Sequence, residues 1–250
     1  MFDILKIRRN HGKQYIPDVK KAVIPLPFRG FPVIAERVEL SFDPAEVCPT
    51  GALKASPVSI DMGKCIFCGD CVRACRNQEI VFSNRHKLSA DQRDKLVITA
   101  GISADDYETT AVKCRQEIKR LFGRSLTLRQ VSAGGCNGCE LELNACGNVN
   151  FDMGRFGIGF AASPRHSDGI VVTGPVTSNM AYALEEAWQA TPDPKILIAA
   201  GACAISGGLF ADSEAVSREF FQKHQVDLFI PGCPPHPLTI LDALLKYFKG

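Results

Sequence analysis

The alternation of apolar and polar positions divides the chain at about residue 125. Beyond that point, short apolar runs bounded by Gly or Pro predict strands at 125–131, 169–173, 195–200 and 226–230. Helical periodicity predicts helices at 178–189, 213–224 and 237–248. Near-continuous apolar strands that alternate with helices are typical of a parallel sheet covered on both faces. Residues 125–250 are therefore predicted to form a doubly wound α/β domain.

The first 124 residues lack this alternation and divide into three segments. Residues 1–35 are basic and then Pro-rich, which predicts an extended arm, because each Pro biases the residue before it away from helix. We expect the arm to dock on a neighbouring subunit; a poorly ordered terminus is the alternative. Residues 36–85 are cysteine-dense and loop-rich. Residues 86–124 are predicted to be a helical linker, with one helix over 109–121 that carries Cys114 as an ordinary packed residue.

Composition and charge narrow the class of protein. The chain has 250 residues, a formal net charge of +2 and eleven cysteines. This charge gives no basic field for nucleic acid. No secretory leader is recognisable, since Arg8 and Arg9 are not followed by an apolar stretch, and no run approaches eighteen apolar residues. We therefore expect a cytoplasmic protein that does not span a membrane by itself, in which clustered cysteines indicate metal rather than disulfides.

A first metal motif lies in the cysteine-dense segment. Cys65, Cys68, Cys71 and Cys75 have the C-x₂-C-x₂-C-x₃-C spacing of bacterial ferredoxins. Three thiolates two residues apart wrap one turn of chain around three corners of a [4Fe–4S] cubane, with the intervening N–H groups directed at the sulfides. The spacing predicts one such cluster; structural zinc is the alternative.

The fourth ligand of this cluster is open to two interpretations. In two-cluster ferredoxins the fourth cysteine of the run ligates the other cluster. Here the second run survives only as Cys48-Pro49, which predicts that Cys48 completes the set of Cys65, Cys68 and Cys71. Cys75 would then be left over, as the Arg rather than Pro that follows it suggests. The rival interpretation makes Cys75 the fourth ligand and leaves Cys48 spare.

A second cluster is predicted from cysteines that are distant in sequence. Cys136 and Cys139 follow the first predicted strand of the α/β domain, Cys203 the third and Cys233 the fourth, all flanked by glycines. The carboxyl ends of parallel strands share one edge of the sheet, where ligands bind. The four thiols should therefore meet there, and glycine allows a bulky inorganic group to approach the backbone.

Other polar residues are candidates for accessory roles. Glu140 and the pair Arg165-His166 are candidates for tuning the second cluster or for proton movement, against a surface carboxylate and a salt-bridge partner. His236 is a candidate for contact with the cluster edge. The remaining cysteine of this half, Cys146, is predicted to pack in the helix that follows the motif. The other histidines are expected to be solvated: His11, His86 and His224.

These residues resemble a known family. Residues 125–250 resemble the small subunit of membrane-bound, energy-converting [NiFe] hydrogenases, including the formate hydrogenlyase type, which is in turn similar to the cluster subunit of complex I. The motifs that carry the resemblance are GCNGCE (135–140), ASPRHSDG (162–169), TGPVT (173–177), GACAISGG (201–208) and PGCP (231–234). The first 85 residues resemble the ferredoxin-like subunit of the same complexes, through FRGFP (28–32) and the two cysteine motifs, with the ligands of one cluster lost.

The resemblance carries expectations about fold and function. It implies a flavodoxin-like sheet domain preceded by a small ferredoxin-like domain, and two [4Fe–4S] clusters that relay electrons. The cluster of Cys136, Cys139, Cys203 and Cys233 would be proximal to a nickel–iron site on a separate large subunit. Integral membrane subunits and an external electron donor or acceptor protein would complete a complex on the inner face of the cell membrane. Complex I subunits generally carry adjacent cysteines at the first ligand position, whereas Cys136 and Cys139 have the hydrogenase spacing.

Two other functions remain open at this point. A nickel-free, complex I-like quinone or ferredoxin oxidoreductase would use the same chain, and the cysteines of its partner would separate the two. A non-catalytic iron–sulfur regulator or assembly scaffold predicts exposed, labile clusters and no stable large-subunit complex.

Overall fold

The computed structural model describes residues 2–12, 14–113 and 116–249. The N-terminal segment begins with helix α1 (Phe2–His11), so the prediction of a wholly extended arm is wrong for these residues. No Pro occurs before Pro17, and Asp3 in the first turn and basic residues in the last match the helix dipole. The chain is then irregular up to strand β1 (Pro32–Ile34). Val19 and Ile24 are buried in the core of the C-terminal domain, so this part of the arm packs on its own chain.

A small antiparallel domain follows the arm. Its further elements are α2 (Pro44–Val47), β2 (Leu53–Ala55), β3 (Val58–Asp61), α3 (Asp70–Ala74) and β4 (Ile80–Phe82). Strand β1 pairs with β4, and β2 pairs with β3. The strands are short because Pro, Gly and cysteine turns interrupt them, and the loops between them carry the cysteines.

The segment predicted to be a helical linker contains a strand. Strand β5 (Val97–Thr99) pairs with β3, and Leu96 and Ile98 share a core with Ile60. The sheet of the small domain therefore extends beyond the predicted boundary at residue 85. Two helices, α4 (Ala104–Thr110) and α5 (Gln116–Phe122), replace the single predicted helix. The β-branched residues Thr109, Thr110 and Val112 weaken helix there, and Cys114 lies outside the described residues.

The C-terminal domain is the predicted α/β domain. Its elements are β6 (Leu126–Ser132), α6 (Gly138–Ala145), β7 (Ile158–Phe160), β8 (Gly169–Thr173), α7 (Ser178–Ala190), β9 (Ile196–Ala200), α8 (Ala202–Ser206), α9 (Glu219–Lys223), β10 (Leu228–Ile230) and α10 (Pro237–Phe248). The five strands are parallel in the order β7-β6-β8-β9-β10. This is the 2-1-3-4-5 order of flavodoxin-like sheets, so the predicted fold class is confirmed. The sequence missed β7, which has only three residues and a central glycine.

The two domains share a buried boundary. Ala90, which follows the small domain's β4, pairs with Phe229 of β10 through two backbone hydrogen bonds of 3.1 and 2.8 Å. Ala199 and Phe229 belong to the same apolar core as Ile98. The cysteine loops of the two domains are therefore held in a fixed relation. Within the described residues, no helix combines the length and apolarity needed to cross a bilayer.

Candidate iron–sulfur sites

One edge of the parallel sheet gathers the four cysteines of the predicted second site. Cys136 and Cys139 follow β6, Cys203 lies in α8 directly after β9, and Cys233 follows β10. All four line one cavity of about 80 Å³ at the carboxyl ends of the strands. The structure therefore brings together the thiols that the strand pattern predicted to converge.

Glycines bring the backbone close to these sulfurs. At Gly201, where φ is +90°, an added Cβ would lie 2.6 Å from Cys139 Sγ. At Gly208, it would lie 3.0 Å from Cys203 Sγ. No side chain fits in either place without displacing a thiol, so the cavity is a cradle built around sulfur.

The four thiols of this site would need a cationic group beside them in order to ionise. Burial first, and then the charges of Glu140 and of the other three thiols, raise the pKa of Cys139 to about 12. Burial first, and then the charges of neighbouring thiols and of Glu140, raise the pKa of Cys203 to about 11. Thiols so placed become thiolates only when a metal centre compensates their charge. Four thiolates with no oxygen or nitrogen donor are the ligand set of zinc or of an iron–sulfur cluster.

The room between the four thiols, about 80 Å³, favours a cluster over a single ion. A tetrahedral zinc with bonds of about 2.3 Å requires sulfurs about 3.8 Å apart. Across the part of the chain that the structure describes, no three His, Cys, Asp or Glu side chains converge on one ion position. A cubane separates its four ligands more widely than one ion does, and the residues present fit that group.

Glu140 lies beneath this site and is buried, so its interpretation as a surface carboxylate is wrong. Its Oε1 accepts hydrogen bonds of 2.6 Å from the hydroxyls of Ser132 and Thr173, at the ends of β6 and β8. Burial acts to raise the pKa of Glu140, but these two hydrogen bonds and its own N–H hold it below the ordinary value. Glu140 is thus a fixed negative charge that ties two strand ends to the cysteine loop.

Arg218 supports the site, and the sequence did not identify it. Its guanidinium donates to four backbone carbonyls, those of Pro175, Cys203, Ala204 and Ile205. It therefore satisfies the C-terminal carbonyls of α8 and holds the Cys203 helix against the loop after β8. A lone Arg before a short helix carries no signal of such a long-range contact.

The predicted ferredoxin-type site assembles in the small domain. Burial above all, and the charges of Cys71, Cys48 and Cys68, raise the pKa of Cys65 to about 12. Backbone N–H groups point at sulfur in two places: Phe67 N–H lies 3.3 Å from Cys65 Sγ, and Ala52 N–H lies 3.2 Å from Cys48 Sγ. The structure therefore groups Cys48 with the three cysteines of the turn, and backbone N–H donors approach two of the cysteine sulfurs.

Cys75 has a different environment. It ends α3, one turn after Cys71, and its thiol is hydrogen-bonded to the carboxylate of Glu79. Burial first, and then the charge of Glu79, raise the pKa of Cys75. The charge of Cys75 also acts on the thiol of Cys71, so the spare role of Cys75 stays a prediction.

A cleft of about 330 Å³ joins the two sites. Cys68 of the small domain and Cys233 of the α/β domain both line it, with Phe28, Arg29 and His236. Arg29 donates a 3.1 Å hydrogen bond to the Phe67 carbonyl, inside the Cys65–Cys68 loop. One cysteine from each predicted set thus faces the same space.

Comparison with known proteins assigns the chain to a family. Residues 136–247 match the family described as NADH ubiquinone oxidoreductase, 20 Kd subunit, and residues 58–78 match the 4Fe-4S binding domain. The chain is 40% identical over 141 residues to a probable membrane-bound hydrogenase subunit of Pyrococcus furiosus, over 54% of this chain and 84% of that protein. The chain belongs to the 20 kDa subunit family.

Two other relatives are named as subunits of a formate hydrogenlyase and of an NADH-quinone oxidoreductase. Formate hydrogenlyase subunit 7 of Escherichia coli is 48% identical over 118 residues, which is 47% of this chain and 46% of that protein. An NADH-quinone oxidoreductase subunit of Heliobacterium modesticaldum is 44% identical over 127 residues, 50% of this chain and 71% of that protein. The predicted resemblance is confirmed, and the chain is an iron–sulfur, electron-transfer subunit of a multisubunit oxidoreductase.

Two of the candidate accessory residues lie far from the cysteines of the α/β domain. Arg165 and His166 are exposed in a turn just before the start of β8, whereas the cysteines lie beyond the strand ends. The five residues of β8 span about 16 Å. The hypothesis that this pair tunes the cluster is therefore not supported by its position.

Two other residues can be compared with their predicted environments. His86 was expected to be solvated but is buried, with 3% of its surface exposed. Cys146 packs as predicted: it is fully buried, and its thiol donates to the Glu142 carbonyl at 3.3 Å.

The glycine cradle gives a test within this family member. Gly201→Ala places a methyl group on Cys139 Sγ at a φ that costs an L-residue about 1–3 kcal/mol. We expect the purified variant to hold roughly half the iron of the unmodified chain, since one of two predicted clusters is excluded. Gly159→Ala is the matched control, because a Cβ there meets no atom within 4 Å. Equal iron in the two variants would contradict the cradle.

Proposed function

We propose that this chain is the electron-transfer small subunit of a membrane-associated [NiFe] hydrogenase complex. It would relay electrons between a ferredoxin-type [4Fe–4S] cluster in the small domain and a proximal [4Fe–4S] cluster in the α/β domain. The proximal cluster would lie next to the active site of a separate large subunit. The catalytic centre is then on the partner, and this chain has no catalytic residue of its own.

The observation that carries the proposal is the shared cleft. Cys68 and Cys233 line the same space, although they belong to different domains. A bound [4Fe–4S] cluster takes up and releases single electrons. The chain's part is to hold two such groups at one cleft, and the backbone pairing of Ala90 with Phe229 joins the two domains that carry them.

Two ligand sets follow from the grouping of the thiols. We assign Cys48, Cys65, Cys68 and Cys71 to the ferredoxin-type cluster, and Cys136, Cys139, Cys203 and Cys233 to the proximal cluster. The cavity that the second set lines supports this division, as does the thiol of Cys65, on which Cys48, Cys68 and Cys71 act. Cys75 acts on Cys71 of this set, so its exclusion is the part that needs the test below.

Two observations favour the hydrogenase function. Cys136 and Cys139 keep two residues between them, which is the hydrogenase form of the first ligand pair. Relatives named as hydrogenase and formate hydrogenlyase subunits are 40% and 48% identical to the chain. The second candidate is a nickel-free, complex I-like quinone or ferredoxin oxidoreductase, which the 44% identity to an NADH-quinone oxidoreductase subunit supports.

The edge that carries the proximal site is suited to a large partner. Cys136 and Cys233 are exposed, as are three apolar side chains on the elements that follow the cysteines: Leu141 (61%), Leu209 (56%) and Phe210 (48%). Apolar side chains around exposed cluster ligands are typical of a surface covered in an assembly. We propose that the large subunit covers it, and that integral membrane subunits hold the pair on the cytoplasmic face of the membrane.

The test is anaerobic co-purification of the tagged, full-length chain from its own organism. We expect a large subunit and membrane subunits to accompany it, with nickel in the complex and hydrogen evolution from a reduced donor. The isolated chain should hold about eight iron atoms and no nickel, as two [4Fe–4S] clusters require. A stable complex that lacks nickel and reduces quinone would replace this function with the second candidate. No stable complex at all would favour a regulator or scaffold.

A further inference from the structure

The unpaired buried polar atoms of this protein lie together at the boundary of its two domains. Within the described residues, the buried side-chain atoms with neither a hydrogen-bond nor an ion-pair partner are His86 Nε2, Thr239 Oγ1 and Asp242 Oδ1. Glu108 lies beside them and is ion-paired with Arg85 and Lys87. His86, Thr239 and Asp242 are at most 3% exposed. A buried polar atom that stays dry is unfavourable.

Helix α10 contributes a polar stripe to this cluster. Thr239, Asp242 and Lys246 are spaced i, i+3 and i+7 on a helix whose other residues are mostly buried and apolar. Lys246 Nζ lies 3.1 Å from Asp242 Oδ2. The stripe faces the segment that carries His86, because the charge of Lys246 acts on His86, and those of Lys87 and Glu108 act on Asp242.

Two cavities flank the cluster. The outer cavity, of about 360 Å³, is lined by His86, Lys87 and Glu108 and opens beside the exposed Lys20 and Lys21. The inner one is the cleft between the two cysteine sites, which Leu88 and Thr239 line. The unpaired atoms therefore lie between the outer cavity, which opens to solvent, and the inner cleft.

Buried polar atoms in roomy sites are normally paired by ordered water. We propose that His86, Thr239 and Asp242, with the ion-paired Glu108 at the outer cavity, hold a chain of water molecules that admits protons from solvent to the boundary of the two domains. His86 Nε2 accepts one of these protons when the protein is reduced, a step that rests on the proposed function. The ligand of this new site is water.

The proton step balances simply. A one-electron donor protein, or dithionite in vitro, would be oxidised as one of the two proposed iron–sulfur clusters takes up its electron, and bulk water supplies a proton through the chain. The only bond that forms is N–H at His86 Nε2, and the chain regains its proton from solvent. The arriving negative charge and the proton compensate each other, which lowers the cost of placing either in a buried site.

The charges that face His86 define the resting state. Lys87, Arg85 and Lys246 repel its positive form, Glu108 attracts it, and His236 lies near enough to repel it when charged. Burial first, with Lys87 next, lowers the pKa of His86 to about 4, so the oxidised protein keeps a neutral acceptor at pH 7. Added negative charge raises that pKa, and proton uptake then accompanies reduction.

The experiment is a redox titration of the full-length, cluster-loaded chain at several pH values, followed by electron paramagnetic resonance. We expect the midpoint potential of at least one signal to fall as pH rises. One proton per electron corresponds to about 59 mV for each tenfold change in proton activity. His86→Gln, which cannot take up the proton, should remove this slope. His166→Gln, exposed at the far end of β8, should keep it. A wild-type potential independent of pH, or an unchanged slope in His86→Gln, overturns the proposal.

A structural measurement tests the water chain itself and does not depend on the variant folding. A high-resolution crystal structure of the oxidised protein should show ordered water within hydrogen-bond distance of His86 Nε2, Thr239 Oγ1 and Asp242 Oδ1. A dry boundary, with these atoms paired to one another, overturns the proposal. The proposed function survives that result, since it concerns electrons and rests on the cysteine sets.

Discussion

Cys233→Ala is expected to remove the proximal cluster and to leave the ferredoxin-type cluster in place. The remaining thiols, Cys136, Cys139 and Cys203, cannot complete four-thiolate ligation, and Cys233 comes from a different strand end than any of them. The iron content should fall from about eight to about four atoms per chain. Iron analysis of the purified chain, with electron paramagnetic resonance of the dithionite-reduced sample, measures both effects.

The matched control for this prediction is Cys146→Ala. Cys146 is in the same domain, but it is fully buried in the apolar core and donates to the Glu142 carbonyl. The change removes a buried sulfur and costs some stability, while the iron content should stay near eight. Full iron in Cys233→Ala, or half the iron in Cys146→Ala, would exclude the proposed ligand set.

Cys48→Ala and Cys75→Ala are expected to give opposite results. Cys48 lies with the thiols of Cys65, Cys68 and Cys71, whereas the Cys75 thiol is engaged by Glu79. Cys48→Ala should therefore lose the ferredoxin-type cluster and about half the iron, and Cys75→Ala should keep both clusters.

The same pair of variants separates the two interpretations of the ferredoxin-type motif. If Cys65, Cys68, Cys71 and Cys75 were the full ligand set, the results would be reversed. Cys75→Ala would lose the cluster and Cys48→Ala would keep it. Each variant is the other's control, since both replace a half-buried thiol in the same small domain. The electron paramagnetic resonance signal that remains in each reduced variant identifies which cluster was lost.

Strands and helices of the α/β domain were predictable because burial leaves a strong local pattern. Strand β8 (Gly169–Thr173) is buried at every residue, and its bounds are those that the apolar run predicted. Helix α10 (Pro237–Phe248) also has its predicted bounds, which Pro at its first position and a run of leucines specify. Helix α9 (Glu219–Lys223) is shorter than the predicted 213–224, because the preceding residues form turns.

Elements with little apolar content were predicted poorly. Helix α1 is almost wholly exposed, so no buried face marked it as a helix. Strand β5 has three residues, and its place in the sheet depends on pairing with β3, almost forty residues earlier. Such elements are defined by partners rather than by their own sequence.

The sequence by itself determined the cysteine chemistry: the ferredoxin-type spacing, the glycines beside each distant thiol, and the strands that carry those thiols to one edge. Only the tertiary structure decided which thiols meet, that Cys68 and Cys233 share a cleft, that Arg218 ties α8 to the loop after β8, and that His86 is buried among unpaired polar atoms. The physical reason is that spacing and periodicity are local properties of the chain. Burial, charge and hydrogen bonding at His86 or Arg218 depend on groups that are distant in sequence and adjacent only after folding.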